Sequence, residues 1–410
     1  MLKSALIFCL ILVSSYAFSQ ESRDLKIFFD CDICDVTYIK QNLTNVEFVR
    51  DQNYAEVHLF FTRQTNGSGG SEYAIDFIGQ KSFKDLQDQI KFSTDSDMTS
   101  DDIRIKILKY VKLGLVRYWI KKGSTEHISV NITKPLENET ATDSISDPWN
   151  YWVFGTSVSG FYSGEESSKF SSFNVNVSSK RVTEANKFSF RAGFTENKST
   201  FSYNGTDIIS KRNSKYLSIS DIISISDHWS AGAFANLGSS MYSNQEFYWE
   251  FKPAIEYNFF NYSESAKKQL ALTYSNGIAY NNYIQQSVYA KENEYLWEHE
   301  LKLGGSVNQK WGNINGEAAF EQYLHDTSLN SLTFYLGTNI RIVKGFNFNL
   351  GGSYSITRNQ INLPAGDVSL EKLLLQQQQL RSGYNYFFNV GLSYSFGSIY
   401  NTIVNPRFNF

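Results

Sequence analysis

Two cysteines three positions apart are the first residues whose types and spacing could do chemistry. Cys31 and Cys34 follow a predicted strand and open a predicted short helix, a position typical of thioredoxin-like redox sites. Asp30, Asp32 and Asp35 surround the pair, and their negative charge disfavours the thiolate on which redox chemistry and metal binding depend. The pattern therefore favours a structural disulfide, with a redox site or a metal site as the alternatives.

A second candidate is a histidine-based hydrolytic site. His325 and Asp326 are adjacent in a predicted outer loop, whereas His299 falls within a strand and His228 within a turn. The sequence holds neither a local cluster of histidines nor a Gly-x-Ser-x-Gly elbow for a nucleophile. We therefore expect no catalytic site, no cofactor and no bound metal.

A third group consists of charged residues that recur among small polar residues at alternate positions. Alternation places them on one face of a strand, and a charge facing lipid at mid-depth would cost about 2–4 kcal/mol for arginine or lysine. We predict that they line the lumen of a barrel, either as an ion-pair network that closes it or as the lining of a narrow polar pore. They are Arg191, Glu250, Lys252, Glu256, Glu298, Glu300, Lys302, Glu317, Glu321 and Arg341.

The composition narrows the class of protein that could carry these residues. The 410 residues include 38 lysines and arginines against 41 aspartates and glutamates, which argues against a nucleic-acid partner. A mean hydropathy of −0.35 excludes a bundle of transmembrane helices, yet aromatic residues reach 16%. Low hydropathy with many aromatic residues is typical of a transmembrane β-barrel, where only alternate residues meet lipid.

The first part of the chain predicts an exported protein with a small domain. Residues 1–19 read as a secretory signal peptide, and residues 20–134 as a periplasmic α+β domain. Its strands are predicted at 25–29, 55–62 and 73–78, and its helices at 36–43 and 101–120, the latter capped by Ser100 or Asp101. Its arrangement resembles that of small periplasmic α/β domains such as the amino-terminal domain of TolB. Residues 135–148 are acidic, polar and bounded by proline, and predict a linker.

Residues 149–410 alternate between apolar and small polar residues, which predicts about twelve antiparallel strands of a barrel. Tight turns alternate with long connections at 199–212, 282–293 and 358–382. In the last of these, residues 367–381 predict a helix. That helix could plug the lumen, pack on the rim, bind a partner or merely order its own loop. Asp221 falls on the apolar face, which we attribute to a bulge or a register error. The strands are predicted at 150–162, 169–180, 186–198, 213–226, 229–240, 246–260, 268–281, 294–308, 312–324, 331–343, 345–357 and 383–397.

The alternative to a barrel is a soluble β-sandwich with a polar outer face. A sandwich would place the aromatic face inside, but here aromatic residues gather near strand ends, as in the aromatic girdles of membrane barrels. The opposite face of small polar residues would also pack poorly as a dry core. The pattern favours the barrel.

The last predicted strand carries a specific resemblance. The barrel-assembly signal combines a polar residue, a glycine and two aromatic residues. This strand resembles it at Asn389, Gly391, Tyr394 and Phe396. The whole chain resembles an uncharacterised family of Gram-negative outer-membrane β-barrels with an amino-terminal periplasmic α/β domain. The resemblance implies an architecture and recognition by the barrel-assembly machinery, but no activity.

These observations predict an integral outer-membrane barrel, surrounded by outer-membrane lipids, with its N-terminal domain in the periplasm. The first hypothesis is a channel or transport role in which the lumen charges set selectivity. The second is a closed barrel that anchors the domain for a periplasmic protein or peptidoglycan partner. A lipid-modifying enzyme is a third and more distant hypothesis.

Overall fold

The computed structural model describes residues 24–67, 69–123, 125, 128–129, 147–203, 205–343, 345–366, 379–398, 405 and 407. The predicted signal peptide and most of the predicted linker and loop helix lie outside these residues. Within the described residues, no helix combines the length and apolar character that crossing a membrane requires.

The N-terminal domain is a five-stranded mixed sheet. Its spatial order is β2-β1-β3-β4-β5, with β1 parallel to β2 and β3 and the remaining pairs antiparallel. The edge strands β2 and β5 were not predicted, because one has only three residues and the other is mostly exposed and polar. The strands are β1 (Leu25–Asp30), β2 (Val46–Phe48), β3 (Val57–Thr65), β4 (Ser71–Gly79) and β5 (Gln87–Thr94).

Two helices pack on this sheet, α1 (Val36–Asn42) and α2 (Ser100–Lys122). Helix α2 begins with a capping box between Thr99 and Asp102, so the cap lies one residue before the first predicted position. Its buried face ends at Tyr118, whose hydroxyl donates to the carbonyls of Phe77 at 2.9 Å and Leu86 at 3.0 Å. Burial raises the pKa of Tyr118 to about 12.

The second part of the chain forms one antiparallel sheet of twelve strands, which confirms the predicted fold. Each strand pairs with its sequence neighbours, as in an up-and-down meander. The strands are β6 (Trp152–Gly164), β7 (Ser168–Val182), β8 (Asn186–Tyr203), β9 (Thr206–Ser224), β10 (Trp229–Ser240), β11 (Gln245–Asn258), β12 (Lys268–Tyr283), β13 (Asn293–Gln309), β14 (Gly312–Tyr323), β15 (Asn330–Val343), β16 (Phe346–Thr357) and β17 (Tyr384–Tyr394).

Two features of these strands correct the sequence interpretation. Residues 199–212 are not a long connection, because β8 and β9 continue through them and meet at Tyr203 and Thr206. Asp221 lies on the apolar face without a bulge, since β9 stays in register with β8 and β10. Asn186, at the start of β8, donates to its carboxylate at 2.5 Å, which gives the charge a polar partner.

The strand register separates the sheet into two faces. Directly opposed residues share a face, so one face carries residues such as Leu272, Leu301 and Leu336, and the other carries small or charged residues such as Ala271 and Lys302. The face with small and charged residues is called the lumen face below.

The first and last strands form the two edges of the sheet. Among the described residues, no ladder joins β6 to β17, and nearly all their side chains are exposed. The two strands run in opposite directions and have 13 and 11 residues.

Candidate functional site: the lumen face and its domain cover

All ten predicted lumen charges lie on the lumen face, but only some contact one another. The strand register places them there, from Arg191 opposite Ser218 to Arg341 opposite Asn347. Among the described residues, Arg191, Glu300, Lys302 and Glu317 form no ion pair.

The charges that do meet form a cluster around Lys252. The Lys252 ammonium lies 2.5 Å from Glu298 and 3.4 Å from Glu250, and all three side chains are at most one-quarter exposed. Asn236 adds a hydrogen bond of 2.9 Å to Glu250. Since partly buried charges need partners, this cluster ties β10, β11 and β13 together across the lumen face.

Two further carboxylates accept hydrogen bonds from hydroxyl and amide groups. Glu256 accepts hydrogen bonds from Tyr262 and Thr273, both at 2.9 Å. Glu321 accepts from Ser331 at 3.0 Å and from Asn359 at 3.3 Å. Asn359 comes from the connection after β16, so this contact brings that connection to the lumen face.

The connection after β16 folds over one end of the lumen face. Ile361 is buried in an apolar cluster with Leu296 and Leu329, and Leu296 lies on the lumen face opposite Ala279. The Leu363 carbonyl accepts from the Val288 amide at 2.8 Å. The predicted helix at 367–381, for which a plug was one of four alternatives, lies mostly outside the described residues, and the described inward segment comes just before it.

The N-terminal domain contacts the opposite end of the sheet, where the tight turns lie. Lys267, in the turn before β12, pairs with Asp76 of β4 at 2.8 Å. Arg50 donates to the Phe396 carbonyl at 3.1 Å. A Cβ on Gly67 would lie 2.9 Å from the Cβ of Val182, so the β3–β4 loop touches the end of β7. The domain thus reaches from β7 to beyond β17.

The central contact is an ion pair between Asp30 and Arg341. The Arg341 guanidinium lies 3.3 Å from the Asp30 carboxylate and 4.9 Å from the centre of the Phe28 ring. His58, fully buried, contacts the same carboxylate at 2.9 Å. Burial raises the pKa of Asp30, but the hydrogen bond with His58 and the charge of Arg341 outweigh burial, so the pKa lies below its usual value.

A cavity separates the domain from the lumen face beside this ion pair. Its volume is about 460 Å³, within the range of about 300–1,000 Å³ usual for small-molecule sites. The domain contributes Phe60 and Arg63, and the sheet contributes Asn339 and Asn349. The domain therefore covers this end of the lumen face and leaves a cavity beneath it.

The cysteine pair adjoins the same contact. Cys31 follows Asp30 directly and forms a disulfide with Cys34. No group of three or more metal-ligating side chains occurs among the described residues. The disulfide joins the end of β1 to the start of α1, where the Asp35 side chain caps the helix by accepting from the Tyr38 amide at 2.9 Å.

The histidines of the sheet lie apart from one another. The His325 ring lies 5.7 Å from that of Tyr323, and Asp326 accepts from the amide and hydroxyl of Ser328. His299 lies on the apolar face and contacts Gln322 at 3.1 Å, and His228 contacts the Asn258 carbonyl at 2.7 Å. No histidine ring in the described part of the chain is hydrogen-bonded to a serine hydroxyl.

The residues that resemble the assembly signal occupy the last strand and its end. Asn389 and Gly391 lie on the lumen face, opposite Gly351 and Asn349. Tyr394 ends β17, and Phe396 follows it with its side chain exposed.

Comparison with known proteins gives no family. No family of known proteins matches the chain, and no curated protein matches it. The NanC porin in a rhombohedral crystal form is similar with a TM-score of 0.29 and 9% identity, over 59% of this chain and 100% of that chain. The translocator domain of the autotransporter NalP from Neisseria meningitidis gives a TM-score of 0.20 and 15% identity, over 60% and 87%. Both TM-scores are low, and the function proposed for this chain rests on its own geometry.

Proposed function

We propose that this chain is an outer-membrane β-barrel channel for small polar solutes, with its N-terminal domain in the periplasm as a cover over the inner mouth. The twelve strands have 11 to 19 residues, and about 9–11 tilted residues suffice to cross a bilayer. The apolar face meets lipid, and the face of small polar and charged residues lines water. The observation that carries the proposal is the position of the N-terminal domain, which ion pairs hold over one end of the polar lumen face.

A membrane barrel also needs its two edges to pair. Backbone groups left unpaired in lipid cost several kcal/mol each, so β6 and β17 close the sheet in the membrane. Their opposite directions and similar lengths suit this pairing.

The lumen charges predict a preference for cations. Six of the ten are glutamates and four are lysines or arginines, and Arg341 is already paired with Asp30 of the domain. The six glutamates share β11 to β14 with only two of these lysines, so that part of the lumen face is negative, which favours cations over anions there.

The test is planar-bilayer conductance of the purified, folded chain with and without residues 20–148. Conductance steps that appear or grow after truncation, with cations preferred, support a covered channel. Equal steps in both forms would show that the domain does not restrict flow.

A second candidate function is a closed barrel that anchors the domain. The inward segment at Ile361 and the domain cover the two ends of the lumen face, which favours this alternative. The domain would then serve a periplasmic protein or peptidoglycan partner. Silence of both forms in the bilayer, together with specific crosslinks from residues 24–123, would favour the anchor over the channel.

A further inference from the structure

The lumen face carries an unusual patch of side-chain amides on its last four strands. The register of β14 to β17 forms two complete rows of opposed residues. The first row is Asn313, Asn339, Asn349 and Gly391, and the second is Asn315, Gly337, Gly351 and Asn389. We call the five asparagines and three glycines of these rows the amide floor.

The glycines give the asparagine side chains room to lie along the wall. A Cβ on Gly391 would lie 2.5 Å from Oδ1 of Asn349, and one on Gly351 would lie 2.5 Å from Oδ1 of Asn389. A Cβ at either position would make the facing asparagine side chain turn away, so glycine lets Asn349 and Asn389 keep this orientation. The amides therefore line the wall without narrowing the lumen.

Most of these amides are free to bind a ligand. In the described part of the chain, the side chains of Asn339, Asn349 and Asn389 have no hydrogen-bond partner. An asparagine side chain both donates and accepts, so the floor offers paired donors and acceptors without net charge. The charged cluster around Lys252 lies on other strands.

The floor adjoins the cavity beneath the domain and is flanked by aromatic rings. Asn313, Asn339 and Asn349 line that cavity, and Phe60 of the domain lines its other side. Tyr335 and Phe387 lie on the lumen face in the next row, opposite Glu317 and Ser353. Phe387 is 55% exposed. Amides with flat apolar rings on either side match a ligand that has many hydroxyl groups and apolar ring faces.

We propose that the amide floor and the cavity bind a neutral oligosaccharide on its way through the lumen. Hydroxyl groups donate and accept as the amides do, and the C–H faces of sugar rings pack on aromatic rings. The charged side chains around the cavity are of both signs, and Asp30 and Arg341 neutralise each other. This inference names the solute class of the proposed channel and rests on that function for its transport role.

The test is calorimetric titration of the full folded chain in detergent with maltotriose and chitotriose, and with trigalacturonate as an anionic probe of similar size. We expect saturable binding of a neutral trisaccharide. The double variant Asn349→Ala, Asn389→Ala should weaken it at least about tenfold, which corresponds to about 1.4 kcal/mol. Phe60→Ala in the domain should weaken binding without altering the barrel wall.

Asn174→Ala is the matched control, because Asn174 lies on the lumen face of β7 but already accepts from Thr195 at 2.9 Å. Unchanged affinity in the double variant, binding of trigalacturonate alone, or no binding of either neutral probe would overturn the inference. Conductance measured in parallel separates the two proposals. A conducting chain that binds no sugar refutes only the inference. A silent chain that binds sugar refutes the channel and the transport role, and leaves the binding site.

Discussion

Replacing Asp30 by asparagine removes one charge from the contact between the domain and the sheet and keeps the shape of the side chain. In the structure this carboxylate contacts Arg341 at 3.3 Å and His58 at 2.9 Å. The substitution leaves Arg341 without its anionic partner at the covered end of the lumen. We expect the cover to be released more often.

The magnitude follows from the exposure of the pair. The side chains of Asp30 and Arg341 are 16% and 29% exposed, between the exposed pairs that contribute about 0.2–1 kcal/mol and the buried pairs whose disruption costs about 3–5 kcal/mol. We take about 1–2 kcal/mol for the lost docking free energy. The ratio of released to docked domain then rises about five- to thirtyfold.

The assay is the open probability of single channels in planar bilayers. Asp32→Asn is the matched control, because it removes the same charge beside the same cavity without breaking an ion pair among the described residues. Equal open probabilities for Asp30→Asn, Asp32→Asn and the unmodified chain would refute the role of the ion pair. Near-ultraviolet circular dichroism checks that the domain stays folded despite the altered contact with His58.

The pH dependence has a defined sign. Because the folded-state pKa of Asp30 lies below the ordinary carboxyl value of 3.8, its contribution to docking is full above that value and is lost as pH falls through the lowered pKa. The extra openings caused by Asp30→Asn, relative to the unmodified chain, should therefore persist from about pH 7 to about pH 5 and shrink in stronger acid. A difference that disappears near neutral pH would contradict this assignment.

Three further substitutions test the packing. Lys252→Met leaves two partly buried carboxylates unpaired and should destabilise the barrel by about 3 kcal/mol. The folded barrel should then unfold at a lower temperature, measured by its heat-modifiable mobility in gel electrophoresis. Lys302→Met, the control, should change this temperature little. Gly114→Ala makes a Cβ clash with the Phe77 ring and should destabilise the domain by about 1–3 kcal/mol. An unchanged denaturant midpoint would contradict this. Ile361→Asp puts a charge into the apolar cluster at the outer end and should raise conductance, whereas unchanged conductance would show that this segment does not restrict flow.

The strands of the large sheet could be predicted because their signal is local. Alternation of side chains between two faces leaves its pattern in every strand, from β6 to β17. The prediction missed β2 and ended β8 and began β9 at the wrong residues. β2 is too short to alternate, and the polar outer part of β8 and β9 read as a loop.

The site was only partly predictable because its contacts join distant segments. Arg341 was predicted on the lumen face and Asp30 was noted beside Cys31, but nothing local pairs residues 311 positions apart. The inward segment at Ile361 carries one sequence signal, a few apolar residues within a polar connection. The amide floor also depends on register, which places Asn349 beside Gly391 only after β16 and β17 have paired.

The most direct test of the central claim is to lock the domain onto the sheet. A disulfide between cysteines placed at Gly67 and Val182 would fix the β3–β4 loop against the end of β7. If the domain covers the channel mouth, the oxidised double variant conducts little and recovers on reduction. Reduction of the unmodified chain, which also opens the Cys31–Cys34 bond, serves as the control. Equal conductance of the locked and reduced forms would contradict the claim that the domain covers the channel mouth.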